Sequence, residues 1–447
     1  MITYQDLLEV GESEVFRMDF VRGVINKHQS SAAYLAAKSA ELYYQGENPT
    51  ISNYEKIIYD LQGRAQVDRW TANHKIASNF FGFVVDQEVS YLLGNGVSFG
   101  EDSTKEKLGA DFDQEIMDAA ETACVDGVAF GFWNLDHLDI FALTEFAPLY
   151  DEETGALMAG VRFWQLDKDK PIRATLYEPD GYTEYMWKDG EGEILREKTR
   201  YKITYAVSEA DGAEIVAGEN YASLPIVPLM RDDKCRSELA GKRNTLDALD
   251  LASSNMVNNV DEGNLIYWVL KGYGGMDDLD DVKFMERLKT IHVADVDGSD
   301  TDAEAHTIEA PFEGTQATID MLTNRLYDDF QAFNAAAVTA ANQSATAIRA
   351  SYVPLDLKCD KLERQVTRFI LGVLKLAGID DKPTYTRNQI INKQEEITTL
   401  IQAAMYFDEE YIRKKALTIL GDIDQYEEMT DRLAGENLGR LSGIGGT

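Results

Sequence analysis

The spacing of apolar positions changes character several times along the chain. Between residues 13 and 45, Phe16, Phe20, Val24, Tyr34 and Leu42 recur at helical intervals, and the turn Gly46-Glu47-Asn48-Pro49 marks the stop. The same period predicts a helix from about Asp68 to Leu93, ending at Gly94-Asn95-Gly96, where glycine can adopt a left-handed cap. A third helix is predicted over about Thr104–Val125, stopping near Gly127. From Val128 to about Val227 the period drops to two, with frequent β-branched and aromatic residues. The turn Asp151-Glu152-Glu153-Thr154-Gly155 separates Phe146–Tyr150 from Leu157–Leu166, and Asp189-Gly190-Glu191-Gly192 separates Thr183–Lys188 from Ile194–Tyr205. Short strands joined by tight turns predict antiparallel sheet, closed by Pro225 and Pro228. The fold class expected is α+β.

Helical spacing returns over 237–262, where Leu239, Leu246, Leu249, Met256 and Val260 form a narrow stripe of coiled-coil type on an otherwise small and polar surface. A stripe this narrow is expected to be hidden against a neighbouring subunit. An insert follows at 264–312, with a strand at Leu265–Leu270, a turn at Gly272-Tyr273-Gly274-Gly275, a short helix near Leu279–Lys289 and a strand near Thr290–Val293. Helix resumes at about Thr315–Phe333, with Ile319, Leu322, Leu326, Phe330 and Phe333 on one face. Antiparallel helices begin and end side by side, so the two ends of the insert should lie together. Residues 330–348 then carry no charge, in a chain that is 27% charged. A long helix is expected over Ala345–Leu376, kinked or broken by Pro354. Residues 387–435 are again helical, and Ser442-Gly443-Ile444-Gly445-Gly446-Thr447 reads as a flexible tail.

Composition narrows the function classes. A chain of 447 residues with 44% hydrophobic content has room for about three cores. Its 43 basic and 78 acidic residues leave a formal charge of −35. Tight binding to nucleic acid needs clustered Lys and Arg, and no long basic run exists. Charge alone fits solubility or a high-salt habitat equally well. Within the insert, eleven acids face four bases. Three cysteines far apart, Cys124, Cys235 and Cys359, suggest neither a zinc knuckle nor a disulfide framework. The acidic start, Met1 to Gly11, lacks the plan of a signal peptide, and the longest apolar runs are far short of a membrane span, so a soluble cytosolic product with no membrane partner is expected.

Catalytic and cofactor patterns are absent. Neither G-x-G-x-x-G nor G-x-x-x-x-G-K-[ST] occurs, so no nucleotide site is expected. The histidines, His28, His74, His137, His292 and His306, have no ligand spacing. The run Asp295-Val296-Asp297-Gly298-Ser299-Asp300-Thr301-Asp302 hints at calcium, but its glycine stands at position four rather than six of an EF-hand loop. It reads as a solvated acidic turn. No metal and no cofactor are expected, and no catalytic residue is assigned.

Five blocks resemble one family. They are His74-Lys75-Ile76-Ala77-Ser78-Asn79-Phe80-Phe81 with Val84 through Ser90-Tyr91-Leu92-Leu93-Gly94-Asn95; the hairpin Ala147-Pro148-Leu149-Tyr150-Asp151 to Gly160-Val161-Arg162-Phe163-Trp164; Ser237-Glu238-Leu239 with Val269-Leu270-Lys271-Gly272-Tyr273-Gly274-Gly275; Leu355-Asp356-Leu357-Lys358-Cys359-Asp360-Lys361-Leu362-Glu363-Arg364; and Ala416-Leu417-Thr418-Ile419-Leu420-Gly421 through Glu427-Glu428, Arg432-Leu433 and Glu436-Asn437. In this order they resemble the portal, or head-to-tail connector, proteins of tailed bacteriophages of the siphophage type.

That resemblance implies a portal fold with an antiparallel β-rich wing, an α-helical stem, a small α/β clip and a helical crown. Residues 1–236 would form the wing, 237–263 and 313–333 the stem, 264–312 the clip, 334–346 the tunnel loop, 347–386 a long kinked wing helix and 387–447 the crown and tail. The tunnel loop would present Asn334, Val338, Thr339, Asn342, Gln343 and Ser344. The clip would present Asp277, Asp278, Asp280, Asp281, Asp295 and Asp297 to partners. The implied assembly is a homo-oligomeric ring, commonly of twelve subunits, at one capsid vertex of the virion, assembled in the host bacterial cytoplasm. Double-stranded DNA would pass through it without tight binding. The terminase large subunit, a head-tail adaptor and the major capsid and scaffolding proteins would be its other partners. Two other readings are a glycan hydrolase using unassigned carboxylates and an acidic adaptor that forms no ring.

Overall fold

The computed structural model describes residues 2–11, 13–59, 63–69, 71–208, 212–262, 266–271, 302–307, 312–340, 345–388, 393–420, 426 and 429–430. The chain divides into two compact units, one of Met1–Ala335 with Ser351–Thr386, the other of Ala336–Ala350 with Arg387–Thr447. It is a mixed fold of helices and antiparallel sheets.

The first unit opens with α1 (Tyr4–Val10), α2 (Glu14–Gln29), α3 (Ala32–Tyr44) and α4 (Pro49–Ser52). The single helix expected over 13–45 is thus two. Ser31 ends the run because its hydroxyl accepts the Tyr34 N–H (3.2 Å) and starts α3 afresh. A two-stranded ribbon follows, β1 (Ile57–Tyr59) with β2 (Ala65–Val67). Helix α5 covers only Phe80–Leu93. Residues 68–69 and 71–79, expected to be helical, run outside any helix, and the N–H groups of His74, Ile76 and Ser78 find partners elsewhere, as described below. Strand β3 (Val97–Ser98) leads to α6 (Asp102–Leu108) and α7 (Phe112–Asp126). The helix expected over 104–125 is broken at Gly109, whose φ of +99° no helix contains.

The β region is two sheets of the first unit. Strands β4 (Val128–Asn134) and β5 (His137–Ala142) join β13 (Ile226–Met230) in the order β13-β4-β5. The run Val128–Trp133 is buried throughout, as expected of a strand covered on both faces. Helix α7 packs on this sheet. Gly127, which joins α7 to β4, is required: at φ +95° an added Cβ would lie 2.3 Å from the Cys235 carbonyl oxygen. The second sheet is a meander of β6 (Phe146–Tyr150), β7 (Leu157–Trp164), β8 (Ile172–Glu178), β9 (Gly181–Lys188) and β10 (Glu191–Thr199). Alternate residues of β9, such as Tyr185 and Trp187, join Leu149, Val161 and Leu176 under Val21, Val24 and Ile25 of α2. A bend at Arg200–Tyr201 divides the strand expected over 194–205, and β11 (Lys202–Ser208) pairs with β12 (Gly212–Glu219) as a separate ribbon.

Helix α8 (Arg243–Glu262) leads into β14 (Ile266–Lys271), which pairs antiparallel with β15 (Asp302–Thr307), and α9 (Phe312–Phe330) packs back on α8. The register Ile266↔Thr307 brings the ends of the insert together, as the helical hairpin requires. The helix near 279–289, the strand near 290–293 and the turn at 272–275 lie outside the described residues. The stripe on α8 does not wait for another subunit. Leu239, Leu246 and Leu249 are buried within the chain, in one cluster with Leu326 and Phe330 of α9, and Val260 at the far end is exposed. Next come α10 (Ala335–Ala340) and α11 (Ala345–Ala377), which runs through Pro354 without breaking. Strand β16 (Thr384–Tyr385) pairs with β3. The second unit also holds α12 (Lys393–Ala403), a short 3-10 turn at Ala404–Tyr406 and α13 (Glu409–Leu420).

Asp126, the last residue of α7, is a carboxylate buried at a helix C-terminus, where the helix dipole disfavours negative charge. It accepts the Leu143 N–H at 3.0 Å. Burial, reinforced by nearby Glu41 and Glu145, raises its pKa to about 8. The folded state therefore holds a proton that the unfolded chain sheds near pH ~4. The stability this group contributes is complete below that pH, falls as pH rises and is lost once pH passes about 8. Asp126→Asn keeps an acceptor for Leu143 and removes the titration. Urea unfolding should show the variant gaining on the parent steadily from pH 5 to pH 8; a difference independent of pH would refute the assignment.

Candidate functional site

The long hairpin of α8 and α9 is the element whose placement the rest of the first unit controls. Its chemistry is anionic. The two helices carry Arg243 and Arg325 against Asp247, Asp250, Asp261, Glu262, Glu313, Asp320, Asp328 and Asp329. Arg325 is paired with Asp329 (3.5 Å) and Arg243 lies 3.8 Å from Asp247, so both cations lean on acids of their own helix.

One face of α8 is held by the extended segment before α5. The N–H of His74 donates to Asn258 Oδ1 (2.7 Å), that of Ile76 to Ser254 Oγ (3.0 Å) and that of Ser78 to Asp250 Oδ1 (3.1 Å). Every second residue of an extended chain is ~6.6 Å apart and every fourth residue of a helix ~6 Å. The two repeats nearly match, so three successive rungs form. The His74 ring meets Asp261 at the outer end. At the inner end Asn48 Nδ2 donates to both Asp247 (3.0 Å) and Asp250 (2.8 Å), and the Tyr43 hydroxyl donates to Asp247 (2.6 Å). This ladder accounts for the extended course of residues 74–78: the N–H groups of His74, Ile76 and Ser78 are taken by a helix, not spent in one.

The base of the hairpin rests on a buried charge cluster. Arg231 Nη2, just after β13, lies 3.1 Å from Glu88 of α5 and 2.5 Å from Glu238. Lys358 Nζ of α11 lies 2.8 Å from Glu88 and 3.2 Å from Glu238. Lys242 Nζ donates to Glu238 at 2.7 Å and sits 4.2 Å above the Phe330 ring of α9. Glu88 is fully inaccessible and Lys358 is 3% exposed. Burial pushes the Glu238 carboxyl up, but Lys358, Arg231 and Lys242 outweigh it and hold the group at about 2. Burial likewise opposes the charge of Lys358, and Glu88 with Glu238 overcomes it, raising the ammonium above its usual range. The charges of Glu238 and Lys358 are thus each held in place by the opposite charges around them.

Next to Glu88, Gln87 holds the start of the uncharged stretch. Its side-chain amide accepts the Phe333 N–H (2.8 Å) and donates to the Phe333 carbonyl (3.0 Å). The Phe333 ring stacks on Tyr352 of α11, with centroids 4.0 Å apart. Helix α9 ends at Gln331, whose φ of +53° turns the chain. Asn334 follows, half-buried. The segment expected to be a loop is in part helical, because Ala335–Ala340 is rich in the best helix former; Val338 and Thr339 lie in α10. Asn342, Gln343 and Ser344 lie outside the described residues, as do Asp277, Asp278, Asp280, Asp281, Asp295 and Asp297. For the last six, the pairing of β14 with β15 places only the two ends of their segment.

Among the described residues, no group of three His, Cys, Asp or Glu side chains is arranged to hold a metal ion, and no helix is long and apolar enough to cross a membrane. The ladder residues and the charge cluster were not singled out by sequence. Asp250, Ser254 and Asn258 at steps of four were the signal available for the first. The second joins positions up to 270 residues apart and leaves no local trace.

The sequence matches the family described as phage portal protein, SPP1 Gp6-like, over residues 25–437. It is 25% identical over 389 residues to a portal protein of Clostridium phage phiCD119, covering 80% of this chain and 83% of that protein. It is 22% identical over 400 residues to the portal protein of Bacillus phage SPP1, covering 80% and 76%. A chain in the neck of a native GTA particle, computed with C12 symmetry, aligns over 75% of this chain and 87% of its own at 11% identity, with a TM-score of 0.38. A likeness of that size carries no inference.

Lys358→Met removes one cation and leaves Glu88 and Glu238 with fewer partners in a dry site. The loss should be about 3–5 kcal/mol, because an uncompensated buried charge remains. Adding Glu88→Gln to it should restore part of the loss. A double-mutant cycle by urea unfolding measures this, and additive losses would show that the cluster is not a coupled unit.

Proposed function

The chain belongs to the phage portal protein family, SPP1 Gp6-like, a structural rather than enzymatic family, and from that premise we propose how its parts serve the portal function. It is a structural protein of a phage virion, acting as its portal. In our reading, copies of the chain close into a ring, commonly of twelve, at one capsid vertex, assembled in the host cytoplasm. Residues 1–236 and the part of α11 within 347–386 form the wing, α8 and α9 the stem, 264–312 the clip, 334–346 the tunnel segment and 387–447 the crown.

The observation that carries this reading is the composition of the α8–α9 hairpin, two arginines against eight acids. A duplex passing such a wall meets two cations, each beside an acid of its own helix, against eight acids, and therefore little attachment that would slow sliding. Repulsion acts within a Debye length, ~8 Å in physiological salt, which suffices to keep the duplex off the surface. The uncharged stretch after Phe333 offers contact without phosphate binding. The acidic clip, with Asp277, Asp278, Asp280, Asp281, Asp295 and Asp297, is the docking surface for the terminase large subunit and then for a head-tail adaptor. The major capsid and scaffolding proteins meet the outer parts.

Native mass measurement tests the ring: the assembled particle should be a many-fold multiple of 50.1 kDa with an axial opening. A stable monomer would remove the proposal. Replacing Asp277, Asp278, Asp280 and Asp281 together by Lys should leave unfolding unchanged and impair DNA packaging or partner docking. Normal packaging by that variant would remove the clip assignment.

A further inference from the structure

A cavity of about 640 Å³ lies within the first unit, where the end of α2, the start of α3, β4, β6 and the loop after β13 converge. Sites for small molecules commonly span roughly 300–1,000 Å³. Its walls are mainly apolar, among them Ile2, Val24, Val128, Leu143, Leu149 and the ring of Tyr150. Cys235 completes the wall in a left-handed conformation, φ +50°, which residues other than glycine rarely adopt.

The charged groups at the cavity are of one sign. Lys27 of α2 and Lys234 of the loop after β13 line it, and no Asp or Glu does, in a chain with 78 acidic residues against 43 basic ones. Neither ammonium makes an ion pair among the described residues. Helix α3 begins at the same wall, with Ser31 and Ala33, so the positive end of its dipole adds to the two lysines. The Tyr150 hydroxyl makes no hydrogen bond among the described residues, and burial raises its pKa, so it stays a donor. His28 donates its Nε2 proton to the Leu143 carbonyl (2.7 Å), and burial holds the ring below its usual pKa.

An apolar body fills such walls without stranding a polar group, and a single anionic head meets the donors and cations that the chain leaves unpaired. We propose that this cavity binds a small amphipathic anion, an apolar body carrying one carboxylate. The body lies between Val24, Val128, Leu143 and Leu149, and the carboxylate faces Lys27, Lys234 and the Tyr150 hydroxyl. The site is a property of the single chain and does not depend on the ring reading above.

Cys235 serves as the reporter, because Cys124 and Cys359 are buried. In the full chain, decanoate near saturation should slow alkylation of Cys235 by N-ethylmaleimide about tenfold and raise the urea midpoint, as a ligand of the folded state does. Decanol, with the same body and no charge, should need about tenfold more ligand for equal protection. Lys27→Gln together with Lys234→Gln should abolish that difference; both side chains are exposed, so the urea midpoint without ligand should be unchanged. Ala33→Phe, at an exposed position of the wall, should abolish protection by both ligands. Alkylation indifferent to decanoate, or a urea midpoint that falls, would overturn the site. Equal protection by decanol and decanoate in the parent would overturn the anionic head group. A thiol already protected before decanoate is added, and released when copies of the chain are dissociated, would overturn the small ligand in favour of a protein occupant.

Discussion

Two buried carboxylates and three cations hold the first unit together. Each ion removed from water carries a desolvation cost of several kcal/mol, recovered only while its partners stay within contact. Glu88 lies on α5, Arg231 after β13, Glu238 and Lys242 before α8, and Lys358 on α11. None of these segments can leave alone without stranding a charge in a site where Glu88 has no accessible surface. The cluster thus makes separation of the helices and the sheet a collective event. It also sets the root of the α8–α9 hairpin, since Glu238 and Lys242 stand in the turns that lead into α8 and Lys242 reaches over Phe330.

From that root the arrangement extends by local bonds. The ladder from 74–78 fixes the outer face of α8, and Asn48 with Tyr43 fixes its inner end. Gln87, beside Glu88, ties Phe333 to α5. One turn of α5 therefore faces both the charge cluster and the start of the uncharged stretch. A disturbance at either would be felt at the other through a rigid helix.

Much of the fold was legible in sequence because its signals are local. Alternation announced the antiparallel sheets, and the turns at 151–155 and 189–192 placed two hairpins of the meander. The α8–insert–α9 order and the joining of the insert's ends were also readable, as was the family. What failed did so for stated physical reasons. Ser31 and Gly109 break helices that apolar spacing alone would continue. Residues 68–79 carry a helical pattern, yet the N–H groups of His74, Ile76 and Ser78 are claimed by Asn258, Ser254 and Asp250, which lie over 170 residues away. The stripe of residues 239–260 was readable as apolar, but not which partner would cover it; Leu239, Leu246 and Leu249 are covered within the same chain, and Val260 is exposed. The run after Asn334 was expected to be a loop from the family resemblance; Ala335–Ala340 within it is helical, in keeping with its alanine content.

The match between strand and helix repeats in the ladder has a mechanical consequence. An extended segment turns its N–H groups alternately to opposite sides, so a shift by one residue would aim every rung away from α8. Four residues before Asp250 stands Leu246, which offers no acceptor, so a step of one helical turn in that direction leaves Ser78 without its rung. The ladder therefore acts as a lock on the axial position of α8, releasing only when its three bonds break together.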